Sequence, residues 1–219
     1  MFESKYSKVL TTILVVVIIA IVGLLGFLGY EYYKKYIITK DTSEFVNNFQ
    51  GEVSSDDDNK DENVPNGDNS NLSLEDGNKS TGATVKTYKG FAVVGTIEIP
   101  AINITYPILE KVSTKALNTS VCYLWGPGVN QPGNSVIIGH NYRNGLFFSN
   151  NGKLKNGDKI YLTDNSGNRM TYTIYNKFNA TPEDSSFYQR DTGGKPEVTL
   201  STCNDDSSQR IIIEARIDE

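Results

Sequence analysis

The sequence predicts an all-β folded domain, a closed or nearly closed barrel of seven to eight strands, carried behind one N-terminal transmembrane helix. Three observations predict it. The run from Val9 to Leu28 is about twenty residues long, enough to cross a bilayer, and contains no charge. Residues 41–82 are rich in Asp, Asn, Ser and Gly, a composition that buries too little apolar surface to offset the entropy of ordering. From Ala83 onward the pattern changes to short β segments bounded by turn signals, with little helical periodicity and no internal repeat.

The apolar run contains Ile13-Leu14-Val15-Val16-Val17-Ile18-Ile19, and its only polar side chains in that region are Thr11 and Thr12. A helix buried in a soluble core would carry a polar face, and this one has none. A cleavable signal peptide would be shorter and followed by an Ala-x-Ala-like site, which is missing here. Tyr30, Tyr32, Tyr33 and Tyr36 fall where an aromatic belt meets the membrane interface. Lys5 and Lys8 before the span nearly balance Lys34 and Lys35 after it. The short N-terminus and long polar remainder therefore set the expectation of an N-in, C-out arrangement. The expected layout is a cytoplasmic tail over 1–8, an anchor over 9–30, an acidic flexible linker over 31–82 and a folded domain over 83–219.

Charge follows the same division. Residues 31–82 hold five basic and twelve acidic residues, whereas 83–219 hold fourteen and thirteen, so the net charge of −5 belongs to the linker. A self-repelling tether is the reading for that stretch. Asp56-Asp57-Asp58 lacks the spacing of an EF-hand loop, so no metal site is expected there. Without a basic stripe or a recognition motif, nucleic acid is not an expected partner.

Within the folded part, Val93–Ile99 alternates and meets Pro100, and Ile102–Ile108 alternates again. Ser135-Val136-Ile137-Ile138-Gly139 is a continuous apolar run, as a buried central strand requires. Segments 159–163 and 169–175 flank Asp164-Asn165-Ser166-Gly167-Asn168, a hairpin signal. Segments 197–201 and 210–216 close the chain.

Two cysteines and one histidine carry the candidate chemistry. Cys122 lies in Val121-Cys122-Tyr123-Leu124, the setting of a buried thiol. Cys203 ends a strand and opens into Asn204-Asp205-Asp206-Ser207-Ser208. On the residues alone, a Cys122–Cys203 disulfide and a reactive Cys203 are both open, and they exclude one another. His140 stands at the end of the Val-Ile-Ile-Gly strand, where catalytic groups are commonly presented. Arg210 opens the strand that follows Cys203, so a short loop can bring 203 and 210 face to face.

Several segments together resemble one family. Thr199-Leu200-Ser201-Thr202-Cys203 looks like the TLxTC signature of sortases, the cysteine transpeptidases that attach proteins to Gram-positive cell walls. Gly95–Pro100 with Tyr106-Pro107-Ile108, then Gly126-Pro127-Gly128, Gln131–Asn134 and Ile137–His140, then Asn156–Tyr161, are similar to further sortase motifs in the same order. The resemblance covers roughly residues 90–217. It implies a sortase-like closed β barrel with short helices. It also implies Cys203 as thioester-forming nucleophile, His140 as general acid and base, and Arg210 as the group that steadies substrate or oxyanion. Substrate contacts are expected from Thr202 and Ser201, and from Thr181 and Pro182 in the loop between Asn176 and Pro196.

The resemblance further implies partners: LPxTG-like sorting signals cut between Thr and Gly, and a lipid-linked peptidoglycan precursor amine as acceptor, with no cofactor and no metal. The short Cys-to-Arg spacing looks most like class D or a class A/E-type member. The lack of a lid motif or a C-terminal span disfavours class C, and Asn141 departs from the Arg that usually follows the histidine. A non-enzymatic, membrane-tethered binding module with a structural cysteine is the alternative.

Overall fold

The computed structural model describes residues 5–54 and 86–218. Contacts divide the chain into two compact units, one ending at Asp41 and one beginning at Thr42. The first unit is helical throughout its described residues and belongs to α1 (Lys5–Ser54). Its apolar side chains are exposed, Leu10 at 69% and Ile19 at 66% among them. Among the described residues it is the one helix long and apolar enough to cross a membrane.

α1 does not stop near residue 30, where the sequence reading begins a flexible linker; it runs on to Ser54. The reason is local. Phe45, Val46 and Phe49, with Thr42, recur at helical spacing and give this stretch an apolar face, and no proline interrupts it. In the second unit Thr42, Val46 and Phe49 are buried. Phe49 joins Tyr88, Val93, Leu109, Ala116 and Cys122 in one cluster, with Phe45 packed against it. The Phe45 and Tyr88 rings meet edge to face at 5.0 Å. Polar ties reinforce the contact: Gln50 donates to Glu98 at 2.9 Å and Lys86 Nζ to the Phe49 carbonyl at 3.1 Å. The remainder of the expected linker, 55–82, lies outside the described residues.

The barrel is built from β1 (Thr87–Tyr88), β2 (Phe91–Ile99), β3 (Ile104–Leu109), β4 (Val121–Trp125), β5 (Gly133–Ile138), β6 (Lys159–Asp164), β7 (Arg169–Ala180), β8 (Pro196–Cys203) and β9 (Arg210–Ile217). The strand order is β1-β2-β3-β4-β5-β8-β9-β7-β6, and β6 pairs back onto β2. Eight strands, β2 to β9, therefore close on themselves, and β1 is a two-residue addition. Closure depends on Gly95: a Cβ there would stand 2.5 Å from the Thr163 carbonyl oxygen across the β2–β6 seam. Short helices complete the domain. α2 (Thr114–Leu117) is capped by Ser113, whose hydroxyl accepts from the Ala116 N–H at 3.1 Å.

Seven of the strands were expected from periodicity; β4 was not. It has five residues and a bulge between Tyr123 and Trp125, so its alternation is too short to register. Inside the barrel Ile97, Ile108, Ile160, Leu162, Leu200 and Ile213 are fully buried. Each such side chain contributes about 1.5–3 kcal/mol of burial. Two parallel pairs interrupt the antiparallel rule, β3 with β4 and β5 with β8. The second of these builds the site.

Candidate active site

β5 runs parallel to β8 with Ile138 opposite Ser201. Beyond that pair, Gly139 N–H donates to the Ser201 carbonyl at 3.3 Å, and Thr202 Oγ1 donates to the Gly139 carbonyl at 2.7 Å. This register carries His140 alongside Cys203. On the other side β8 pairs antiparallel with β9, with Cys203 directly opposite Arg210. Three adjacent strands thus present imidazole, thiol and guanidinium in a row, with the thiol in the middle. A Cβ on Gly139 would come within 2.9 Å of the Phe148 ring and 3.0 Å of Val121, so a glycine there lets both side chains pack against the end of β5.

Arg210 Nη1 donates to Cys203 Sγ at 2.8 Å. The guanidinium is always charged, so the sulfur faces a fixed cation. His140 is half-buried, and that desolvation holds its pKa below the ordinary histidine value. Its ring lies 4.9 Å from that of Tyr142 with the planes tilted by 35°, and the Tyr142 hydroxyl donates to Asn118 Oδ1 at 2.7 Å. The segment after His140 folds back on itself: Phe148 N–H donates to the His140 carbonyl at 3.1 Å, and Asn141 bridges to Phe147. Asn141 Nδ2 also donates to the Cys203 carbonyl and to Asp205 Oδ1, both at 3.0 Å. The residue after His140 is therefore tied by its side-chain amide to the backbone of Cys203, in addition to the strand register. Of the backbone donors after Cys203, the Asn204 N–H is already bonded to the Gln209 carbonyl at 3.0 Å.

Both cysteines are free, so the disulfide that the residues alone left open is not formed. Cys203 is half-exposed, whereas Cys122 is buried and its thiol is pushed up to about 11 by desolvation.

His140, Cys203 and Arg210 line one cleft of about 220 Å³. Of the residues expected to touch substrate, Ser201, Thr202 and Pro182 line it too. Thr181 does not; it is exposed, and its carbonyl accepts from the Asp184 N–H at 3.2 Å within the loop turn. The apolar wall comes from residues that periodicity did not single out, namely Leu117, Leu124, Phe187 and Tyr188. Phe187-Tyr188 is an aromatic pair inside an otherwise polar loop, and that contrast was the available signal. A larger groove of about 580 Å³ lies at the far ends of β8 and β9, around Tyr175, Lys195, Arg216 and Asp218. It holds neither thiol nor imidazole, so chemistry outranks size. Among the described residues no three His, Cys, Asp or Glu side chains group in a way that could hold a metal ion.

A model of the sortase domain matches residues 97–218, more than half of the chain. The chain belongs to the sortase family. It is 34% identical over 124 residues to Sortase A of Bacillus anthracis, a match covering 55% of this chain and 58% of that one. It is 31% identical over 134 residues to Sortase A of Streptococcus agalactiae, covering 58% and 53%. The match thus spans little more than half the length of these curated sortases. Among solved structures, Sortase A from Corynebacterium diphtheriae aligns with a TM-score of 0.54 and 27% identity over 59% of this chain and 62% of that one. A Sortase D5 transpeptidase from Clostridium perfringens aligns with a TM-score of 0.53 and 25% identity over 58% and 80%. Sortase folds and this one share the closed eight-strand barrel.

Proposed function

We propose that this chain is a membrane-anchored cysteine transpeptidase. It cleaves an LPxTG-like sorting signal between Thr and Gly and passes the new C-terminus to an amine of a lipid-linked cell-wall precursor. The observation that carries the reading is the cross-strand row of His140, Cys203 and Arg210 on one cleft, with Arg210 Nη1 2.8 Å from the sulfur. The apolar helix through Val9–Leu28 supports single-pass anchoring.

In this mechanism neutral His140, the form favoured by its burial, takes the proton of the Cys203 thiol. The sulfur attacks the Thr carbonyl, and Arg210 faces the oxyanion that develops. The C–N bond to Gly then breaks, with His140 returning its proton to the departing amine. The acceptor amine attacks the thioester, His140 removes its proton, and the thiol is released. Splitting acyl transfer in two predicts ping-pong kinetics.

The test uses the full chain in detergent, because the folded unit includes part of α1. LPxTG-type peptides are incubated with triglycine or hydroxylamine and read by mass spectrometry. Cleavage between Thr and Gly with a new amide or hydroxamate, lost in Cys203→Ala and in His140→Ala, upholds the proposal. No product across a broad peptide panel, with Cys203 inert to thiol reagents, leaves the tethered binding module instead.

A further inference from the structure

The loop from Thr181 to Lys195 joins β7 to β8, and Pro182, Asp184, Phe187 and Tyr188 from it form one side of the cleft. What holds it there is a charged cluster that the chemistry itself does not use. Arg190 Nε donates to Glu197 Oε2 at 2.6 Å, and Nη1 lies 3.3 Å from Glu214 Oε1. The same Nη1 donates to Thr199 Oγ1 at 2.7 Å and to the Phe187 carbonyl at 3.1 Å. The three charged side chains are only 18%, 13% and 9% exposed.

The links continue on the other side of the loop. Thr199 Oγ1 donates to Asn134 Oδ1 at 2.9 Å, and Asn134 Nδ2 donates to the Phe187 and Tyr188 carbonyls at 3.2 and 2.9 Å. The backbone at 187 and 188 is thus drawn against β5 and β8 by two side chains that are themselves hydrogen-bonded through Thr199. The corresponding side chains, Phe187 and Tyr188, face the cleft. Both carboxylates have further donors, Tyr175 on Glu197 and Asn176 on Glu214, so the cluster is anchored in β7 as well. A buried charge is retained at the cost of desolvation, and it places its partners more sharply than an apolar contact does.

We infer that Arg190 is a positioning residue for substrate selection: with Thr199 and Asn134 it fixes the Phe187-Tyr188 wall of the cleft, and so sets which sorting peptide is accepted. This rests on the transpeptidase reading above. Arg190 touches neither the sulfur nor the imidazole, so its loss acts on peptide binding rather than on the chemical step.

The chain carries its own reporter, because Trp125 is its single tryptophan and stands 6.1 Å from the Tyr188 ring. Arg190→Lys keeps the charge but cannot make the fork, and Thr199→Val removes the bridging hydroxyl without stranding a charge. In the full chain in detergent, KM for an LPxTG-type peptide rises about tenfold in either folded variant, while kcat with hydroxylamine stays within about threefold. Acrylamide quenching of Trp125 changes, while the iodoacetamide alkylation rate of Cys203 stays within about twofold.

Unchanged KM and unchanged quenching in both variants overturn the inference. So does a parallel fall of kcat, alkylation rate and thermal midpoint, which marks a merely structural role. If the unmodified protein turns over no peptide of the panel and its Cys203 is inert to thiol reagents, the transpeptidase reading fails by itself. Arg190 is then judged on quenching alone, with an unchanged value in both variants sinking its hold on the loop.

Discussion

Cys122 and Cys203 differ in what lies over them, although Ile138 and Leu117 pack against the cluster around the first and also line the cleft around the second. Cys122 belongs to one buried apolar cluster with Phe49 from α1, and its thiol points to the Ser120 carbonyl at 3.9 Å. Burial pushes it up to about 11. Cys203 stands at a strand end beside a guanidinium and opens onto a cleft. The same side chain is a packing element on one side of a shared wall and, in the proposed reaction, the nucleophile on the other. What separates them is water access and a cationic donor, not the sulfur itself.

The comparison is broken most decisively by activity. Cys203→Ala should remove peptide transfer by about 10⁴-fold or more, while Cys122→Ala stays within about twofold. Both are read as the rate of triglycine adduct formation by mass spectrometry, and similar losses in the two variants end the distinction. Next in size, Arg210→Lys should lower kcat/KM about 10²-fold, because an ammonium cannot reproduce the planar donor aimed at the sulfur. A loss below about threefold would show that the 2.8 Å contact is incidental to catalysis.

The capped side can be opened in turn. Phe49→Ala should cost about 3 kcal/mol in chemical denaturation and let a neutral thiol reagent reach Cys122, which in the unmodified protein reacts far more slowly than Cys203. Unaltered stability would mean that the helix does not belong to the barrel's core. The smallest effect lies at Glu98 of β2, which Gln50 of α1 and Arg169 of β7 both bond. Arg169 donates to both oxygens of Glu98 at 2.7 and 3.0 Å, and this bonding holds the Glu98 carboxyl below the ordinary range. Its contribution is therefore present above the unfolded carboxyl pKa and is lost as pH falls through the lower folded value. Glu98→Gln should cost about 0.5 kcal/mol near neutrality, and the difference should vanish in acid when the two proteins are unfolded side by side.

Legibility varied with sequence distance. Cys203 and Arg210 belong to strands joined by one short turn, so their pairing could be anticipated from spacing, and β9 delivers it with the two residues opposite. His140 was legible as the end of a buried strand, but its place beside Cys203 depends on a parallel register between segments more than sixty residues apart in sequence. Asn141, noticed only as a departure from the family pattern, proves to bond the Cys203 carbonyl. Thr181 was expected in the cleft on loop membership alone, and its neighbours Pro182 and Asp184 line it instead. Phe45, Val46 and Phe49 were hidden among acidic and amide residues, and their helical spacing went unread.

Resemblance to sortase motifs marked the candidate site residues; by itself, then, the periodicity of the sequence determined the local choices: an apolar helix, seven of the strands and the hairpin at 164–168. These follow from side-chain period and turn chemistry, which act over a few residues. Only the tertiary structure decided that β6 closes onto β2, that one thiol is capped while the other is open, and that Arg190 holds the Phe187-Tyr188 wall. Each depends on burial and on hydrogen bonds between residues far apart in the chain, whose pairing is settled by closure of the whole barrel.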